Sequence, residues 1–295
     1  MVIDAWAESA RREPERIGIQ GFTLLEALVA MVLSTVIVSL VTSTFLAQNR
    51  FYTDAMNRAG IQESVRGAMS RASSDLHAVF RGGIVSGDPT SVVFRLPILV
   101  AGVCAVDDQK TFAFLPMDAA HRSLLAATGY GLRAGKADWR YEPASWSSVY
   151  HSSGESAAEA CARSGADTVG AVSAFARLDG LAPSGTLLPG DLVTVYEDVE
   201  LKIAPSKLRP GTRALFRGPV GDVLAEVATG LSGASRFEYG RTGRTGFRSR
   251  VSGKGNLARI DRVRIYLEGS APASSGGRDD LTFELTQTVP LRNAN

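Results

Sequence analysis

The chain has 295 residues, a formal net charge of +2 and 45% hydrophobic residues. The length allows one or two domains, and the hydrophobic share is ordinary for a globular protein with one apolar helix, which excludes a chain too polar to build a core. A charge so close to zero is too small to imply a polyanion partner by itself.

The first element is an apolar run. Residues 27–47 contain no charge, no Pro and no Gly. At about 1.5 Å per residue such a helix spans roughly 30 Å, the hydrocarbon thickness of a bilayer. A secretory signal peptide has a shorter apolar region, about 7 to 15 residues, closed by a small-residue cleavage site. Here the run passes through Leu46-Ala47 into Gln48-Asn49-Arg50 without one. A plain anchor explains the length but not Glu26, set between Leu25 and Ala27, because a carboxylate at membrane depth costs roughly 3 kcal/mol unless something pairs with it. The run predicts a membrane-spanning helix whose acid has a partner.

Gly21-Phe22-Thr23-Leu24-Leu25-Glu26 ahead of that helix resembles the cleavage and methylation signature of type IV prepilins and type II secretion pseudopilins. The resemblance implies that a prepilin peptidase cuts after Gly21 and methylates Phe22, and that Glu26 neutralises the terminal amine of a neighbouring subunit. The residue chemistry agrees. Gly21 lets a peptidase approach the backbone, a carboxylate in the first helical turn suits the helix dipole, and an amine–carboxylate pair satisfies two groups that hydrocarbon would leave unpaired. Residues 1–21 then form a leader that is removed. It is long for the family, and Ile17-Gly18-Ile19-Gln20 lacks the basic residues that commonly precede the cut. Arg11, Arg12 and Arg16 still give it a cytoplasmic bias.

Beyond the span, Val65, Ala68, Met69, Ala72, Leu76 and Val79 recur at spacings of three and four, with charged residues between them. This predicts one helix over residues 22–83, membrane-spanning over 22–47 and amphipathic in its second half. Gly60 and Gly67 are places for a bend, each weakening the helix by roughly 1 kcal/mol relative to Ala. Arg81-Gly82-Gly83 ends it.

Residues 84–295 read as a β-rich head outside the cytoplasm. Runs at 91–96, 111–115, 168–175, 192–203, 235–239, 260–267 and 281–289 predict strands separated by Gly, Pro and Asp turns. The last two alternate apolar and polar residues, as half-buried strands do. The expected class is α+β, an antiparallel sheet packed on the amphipathic half of the helix. Residues 144–164, rich in Ser, Ala and Glu, and 269–277, rich in Gly, Ser and Ala, read as mobile connections, with a helical turn conceivable at 157–161.

Within the family the chain is similar to PilW-like or J-type minor pilins. Asp75-Leu76-His77-Ala78-Val79-Phe80-Arg81-Gly82 resembles their helix end. Ala214-Leu215-Phe216-Arg217 with Val223-Leu224-Ala225-Glu226-Val227 resembles their central region, and Thr288-Val289-Pro290-Leu291-Arg292-Asn293 their terminal strand. The implied function is a minor pilin that primes or joins type IV pilus assembly. The alternative is a J-type pseudopilin of a type II secretion system. Implied partners are the prepilin peptidase, other minor pilins, the major pilin and an inner-membrane assembly platform.

Other residues invite other chemistry. Cys104 and Cys161, outside the cytoplasm under this topology, are expected either to form a disulfide or to remain two thiols too far apart to bridge. His77, His121 and His151 show no metal or triad spacing, and Gly129-Tyr130-Gly131-Leu132-Arg133-Ala134-Gly135 misses the dinucleotide fingerprint by one residue. A Cys161–His151 nucleophile pair is conceivable, yet neither an enzyme nor a cofactor is expected. Asp107-Asp108 and Asp279-Asp280 lack a calcium ligand ladder and read as turns. The stretch 236–264 carries nine cations against Glu238 and Asp261, with aromatics between them. It predicts a flexible basic loop, either solvated or facing an acidic neighbour. Alternatively, Arg241, Arg244, Arg248, Arg250 and Lys254 contact nucleic acid in a DNA- or surface-binding tip adhesin.

Overall fold

The computed structural model describes residues 23–107, 110–114, 127–135, 137–143, 151–153, 175–179, 188–273 and 280–292. The chain divides into two compact units, residues 1–53 and 54–295. Helix α1, Leu24–Ala78, runs unbroken through Gly60 and Gly67. Its apolar part, near the amino terminus, is long enough to cross a membrane and has none of its residues buried.

The second unit is built on the later half of α1. Ile61, Val65, Ala68, Met69, Ala72 and Leu76 form its buried face, the periodic set that the sequence predicts together with Ile61. Burying each large aliphatic side chain contributes about 1.5–3 kcal/mol. The helix stops earlier than the Arg81-Gly82-Gly83 signal suggests. After Ala78, the Val79 amide bonds the Leu76 carbonyl at 3.2 Å. Gly82 at φ +78 then closes a turn in which the Gly83 amide donates to the Phe80 carbonyl at 2.9 Å.

The helix face lies on an antiparallel sheet with fourteen strands among the described residues. In chain order these are β1 Ile84–Asp88, β2 Ser91–Asp107, β3 Lys110–Phe114, β4 Gly129–Arg133, β5 Arg140–Pro143, β6 His151–Ser153 and β7 Phe175–Asp179. They continue with β8 Leu192–Pro205, β9 Arg213–Pro219, β10 Ala225–Leu231, β11 Arg236–Arg241, β12 Phe247–Arg248, β13 Ile260–Ala271 and β14 Leu281–Pro290. The main path runs β12-β11-β13-β10-β9-β8-β2-β3-β7-β6, with β14 beside β13, β1 beside β2, and β4 joining β8 to β5. The fold is α+β and pilin-like, as predicted.

Register explains the core. Phe237 opposes Ile265 and Tyr239 opposes Val263, while Leu285 opposes Leu267 and Val289 opposes Val263. These side chains share the face that meets α1 and join one cluster with Val65, Met69 and Leu76. Gly269 was expected in a loop but lies in β13, and a methyl there would come 2.8 Å from Val65 Cγ2 and collide with Ile61. Its bare backbone lets the helix approach the sheet.

Several strands differ from expectation for physical reasons. β2 runs on past Leu96 because the sheet absorbs Pro97, which has no N–H, with a register shift between Pro97 and Leu99 against β8. β6 falls inside the stretch expected to be a mobile connection and pairs with β7. Of the strand expected at 168–175, Phe175 lies in β7; residues 168–174 lie outside the described residues, as does the helical turn expected at 157–161.

The near-miss fingerprint at 129–135 is β4, a strand packed on aromatic rings. A Cβ on Gly129 would collide with the Tyr196 hydroxyl and the Glu142 carbonyl, and one on Gly131 would lie 3.0 Å from the Tyr141 ring. Gly129→Ala is therefore expected to destabilise the second unit by about 1–3 kcal/mol, because backbone cannot swing aside. Gly60→Ala, with open space around it, should stabilise the helix by up to about 1 kcal/mol. Thermal unfolding followed by near-ultraviolet circular dichroism would read both; equal effects of the same sign would refute the packing argument.

Candidate functional site

Glu26 opens α1 and is tied to Thr23. The Thr23 amide and hydroxyl both donate to Glu26 Oε2 at 3.1 Å, and the Glu26 amide donates to Thr23 Oγ1 at 3.3 Å. This is a capping box, Thr-x-x-Glu, which satisfies amides at the helix start reciprocally. The signal stands in the sequence as Thr23-Leu24-Leu25-Glu26 and was missed there. Gly21 and Phe22 lie outside the described residues.

The helix that follows suits hydrocarbon. Ser34, Thr35, Thr42, Ser43 and Thr44 each return their hydroxyl to a carbonyl three or four residues back, at 2.7–2.9 Å. In a solvent without hydrogen-bonding capacity these groups are satisfied within the segment.

The end of the helix gathers distant segments. Arg217 on β9 donates from Nε to Asp75 Oδ2 at 2.5 Å and from Nη2 to Oδ1 at 3.4 Å, with Arg71 3.8 Å from the same carboxylate. Phe80 bridges Arg292 in parallel, and the Arg292 amide donates to the Val79 carbonyl at 2.8 Å. The helix-end, central and terminal segments singled out in the sequence thus meet here.

The basic stretch 236–264 is more structured than expected. It contains the end of β11, the strand β12 and a four-residue helix, α2, Lys254–Leu257. A hydrogen bond from Thr242 N to Arg259 O at 3.0 Å ties its two sides together, and one from Val251 N to Gly87 O at 3.0 Å fixes its middle to β1. Its eight arginines fall into two groups. Arg236 pairs with Glu238 at 3.0 Å, Arg264 pairs with the same carboxylate, Arg262 meets Asp261 at 3.0 Å and Arg250 meets Asp88 at 2.5 Å. Burial raises the Glu238 pKa, but the hydrogen bonds from Arg264 and Arg236 and their charges outweigh it and hold the pKa below the ordinary carboxylate value.

Arg241, Arg244, Arg248 and Arg259 form the second group. Arg241 donates to Asn256 Oδ1 at 2.7 Å, a neutral acceptor. Partial desolvation and then the charges of Arg248, Arg244 and Arg259 lower the Arg241 pKa from its usual value. An open concavity of about 400 Å³ is lined by Arg241, Arg244, Arg248 and Phe247. Lys254 is exposed on α2.

The remaining expectations are placed as follows. Cys161 and His121 lie outside the described residues, and Cys104 and His151 are placed by their backbones, in β2 and β6. His77 Nδ1 lies 3.3 Å from the Pro290 carbonyl. Asp108 and Asp279 are outside the described residues, while Asp280 accepts from the Ser270 hydroxyl at 3.2 Å. Among the described residues no cluster of His, Cys, Asp and Glu could hold a metal ion.

Compared with known proteins, the family described as the prokaryotic N-terminal methylation motif matches residues 18–42. The match supports a type IV pilin-like or pseudopilin-like protein, a structural class of protein and not an enzymatic one. With the apolar helix it is consistent with a membrane-anchored pilin. No curated protein and no solved structure matches the chain.

Proposed function

We propose that the chain is a PilW-like minor pilin, cut between Gly21 and Phe22, methylated on Phe22, and drawn from the inner membrane into a type IV pilus or its initiating tip complex. Residues 22–47 span the membrane and residues 84–295 form the head outside the cytoplasm. Its work is structural: the helix packs among other pilins, and Glu26 meets a neighbour's terminal amine. The observation that carries this reading is the acid at the start of a helix whose next 21 residues are uncharged and whose hydroxyls named above are bonded within the segment. The convergence of three PilW-like segments at the helix end supports it. A J-type pseudopilin would use the same residues in a different machine, and neighbouring genes of one system or the other separate the two. A bridge between Cys104 and Cys161 belongs to the proposal, as a staple in an oxidising compartment.

The test is mass spectrometry of the chain purified from its native membrane and alkylated under denaturing, non-reducing conditions. The expected product begins at methylated Phe22 and carries no alkylated cysteine. A product still bearing residues 1–21 would refute the assignment, and two alkylated cysteines would refute the bridge alone.

A further inference from the structure

The structure sorts the nine cations of residues 236–264 in a way the sequence cannot. Four of the nine, Arg236, Arg250, Arg262 and Arg264, pair with three carboxylates of the same unit, Glu238, Asp88 and Asp261. Between Arg241 and Arg259 there is no acidic residue; Arg241, Arg244 and Arg248 line one concavity, and the charges of Arg248, Arg244 and Arg259 reach Arg241 and lower its pKa. Like charges gathered without a counter-charge cost free energy, and a ligand of opposite charge recovers it.

The surroundings define that ligand. The concavity of about 400 Å³ has nucleotide dimensions, and its charged lining is arginine, whose planar fork matches phosphate oxygens two at a time. Phe247 lines it as well, held by Arg264 at 4.0 Å and Arg262 at 5.4 Å from the ring centroid. A half-buried ring fixed beside guanidinium groups suits a base next to its phosphates. An acyl chain would find only that one ring among the lining residues, which argues against a lipid.

We infer that this basic stretch binds the phosphate backbone of single-stranded nucleic acid, with Arg241, Arg244, Arg248 and Arg259 on phosphates and Phe247 against a base. The inference does not depend on the filament reading, because the site lies wholly within the second unit.

The test uses the full chain in a non-ionic detergent and a short fluorescent single-stranded DNA. Affinity should fall about 50-fold between about 50 and 200 mM salt, as four phosphate contacts require. Reversing two exposed charges together, Arg244→Glu with Arg248→Glu, should weaken binding at least tenfold and reduce the salt dependence to about half. Phe247→Leu should cost about tenfold with the salt dependence kept, and Arg250→Ala, whose charge Asp88 already meets, should change neither. Four results would overturn the inference: no binding at low salt, full binding by the charge-reversed chain, phosphatidylglycerol vesicles bound in place of DNA, or displacement of DNA by polyglutamate of equal charge.

Discussion

Glu26→Gln is expected to leave the amount of the chain in the membrane unchanged and to cut its recovery from sheared filaments about a hundredfold. The two roles of this residue can be separated because Gln completes a capping box as Glu does. The hydrogen bonds from the Thr23 amide and hydroxyl then survive, and only the charge is lost. Under the filament reading, the neighbour's ammonium group is left unpaired at membrane depth, which costs roughly 3 kcal/mol. At 1.4 kcal/mol per tenfold, that is about two orders of magnitude in incorporation. Thr23→Ala makes the reciprocal change, breaking the cap and keeping the charge, and should cost only about 1 kcal/mol of helix stability. Immunoblots of sheared and membrane fractions read both variants. Normal incorporation of Glu26→Gln with impaired Thr23→Ala would reduce Glu26 to a helix cap and remove the subunit-pairing role.

The same residue shows what the sequence made legible. The apolar run, the acid and the periodic face from Val65 to Val79 could be read because each is a local pattern, and periodicity depends only on neighbours three or four apart. The strands that escaped notice lack such a pattern. β4 carries two glycines forced by the Tyr141 and Tyr196 rings, and the partners that make it a strand lie on β5 and β8. β10, Ala225–Leu231, has little β-branched content and is held between β9 and β13. β2 outran its expected end because the bulge that admits Pro97 belongs to its pairing with β8. The basic stretch teaches the same lesson for charge. A run of cations reads as uniform until Asp88, far away in β1, claims Arg250, and Glu238 claims Arg236 and Arg264. Side-chain partners distant in sequence decided both the strands and the site.

The largest stability loss is expected from Asp75→Ala. Asp75 sits on α1 one turn before its end, 7% exposed, and receives two hydrogen bonds from Arg217. Removing one member of such a pair strands the other charge in a medium that solvates it poorly, typically at about 3–5 kcal/mol. The low end applies because Arg217 has a second carboxylate nearby. Burial raises the Glu197 pKa while the charge of Arg217 lowers it, so Glu197 can take part of the stranded charge. A loss of about 3 kcal/mol should lower Tm by roughly 6–12 °C for a unit of this size. The double replacement Asp75→Leu with Arg217→Met should recover most of it, since it removes the desolvation cost of both ions along with their attraction. If Asp75→Ala instead unfolds within about 2 °C of the unmodified chain, the pair is an incidental contact and the apolar face from Ile61 to Leu76 alone holds the helix to its sheet. If the double replacement is as unstable as the single one, Arg217 is needed for packing, its stem covering apolar surface beside Asp75 more than its charge answers it.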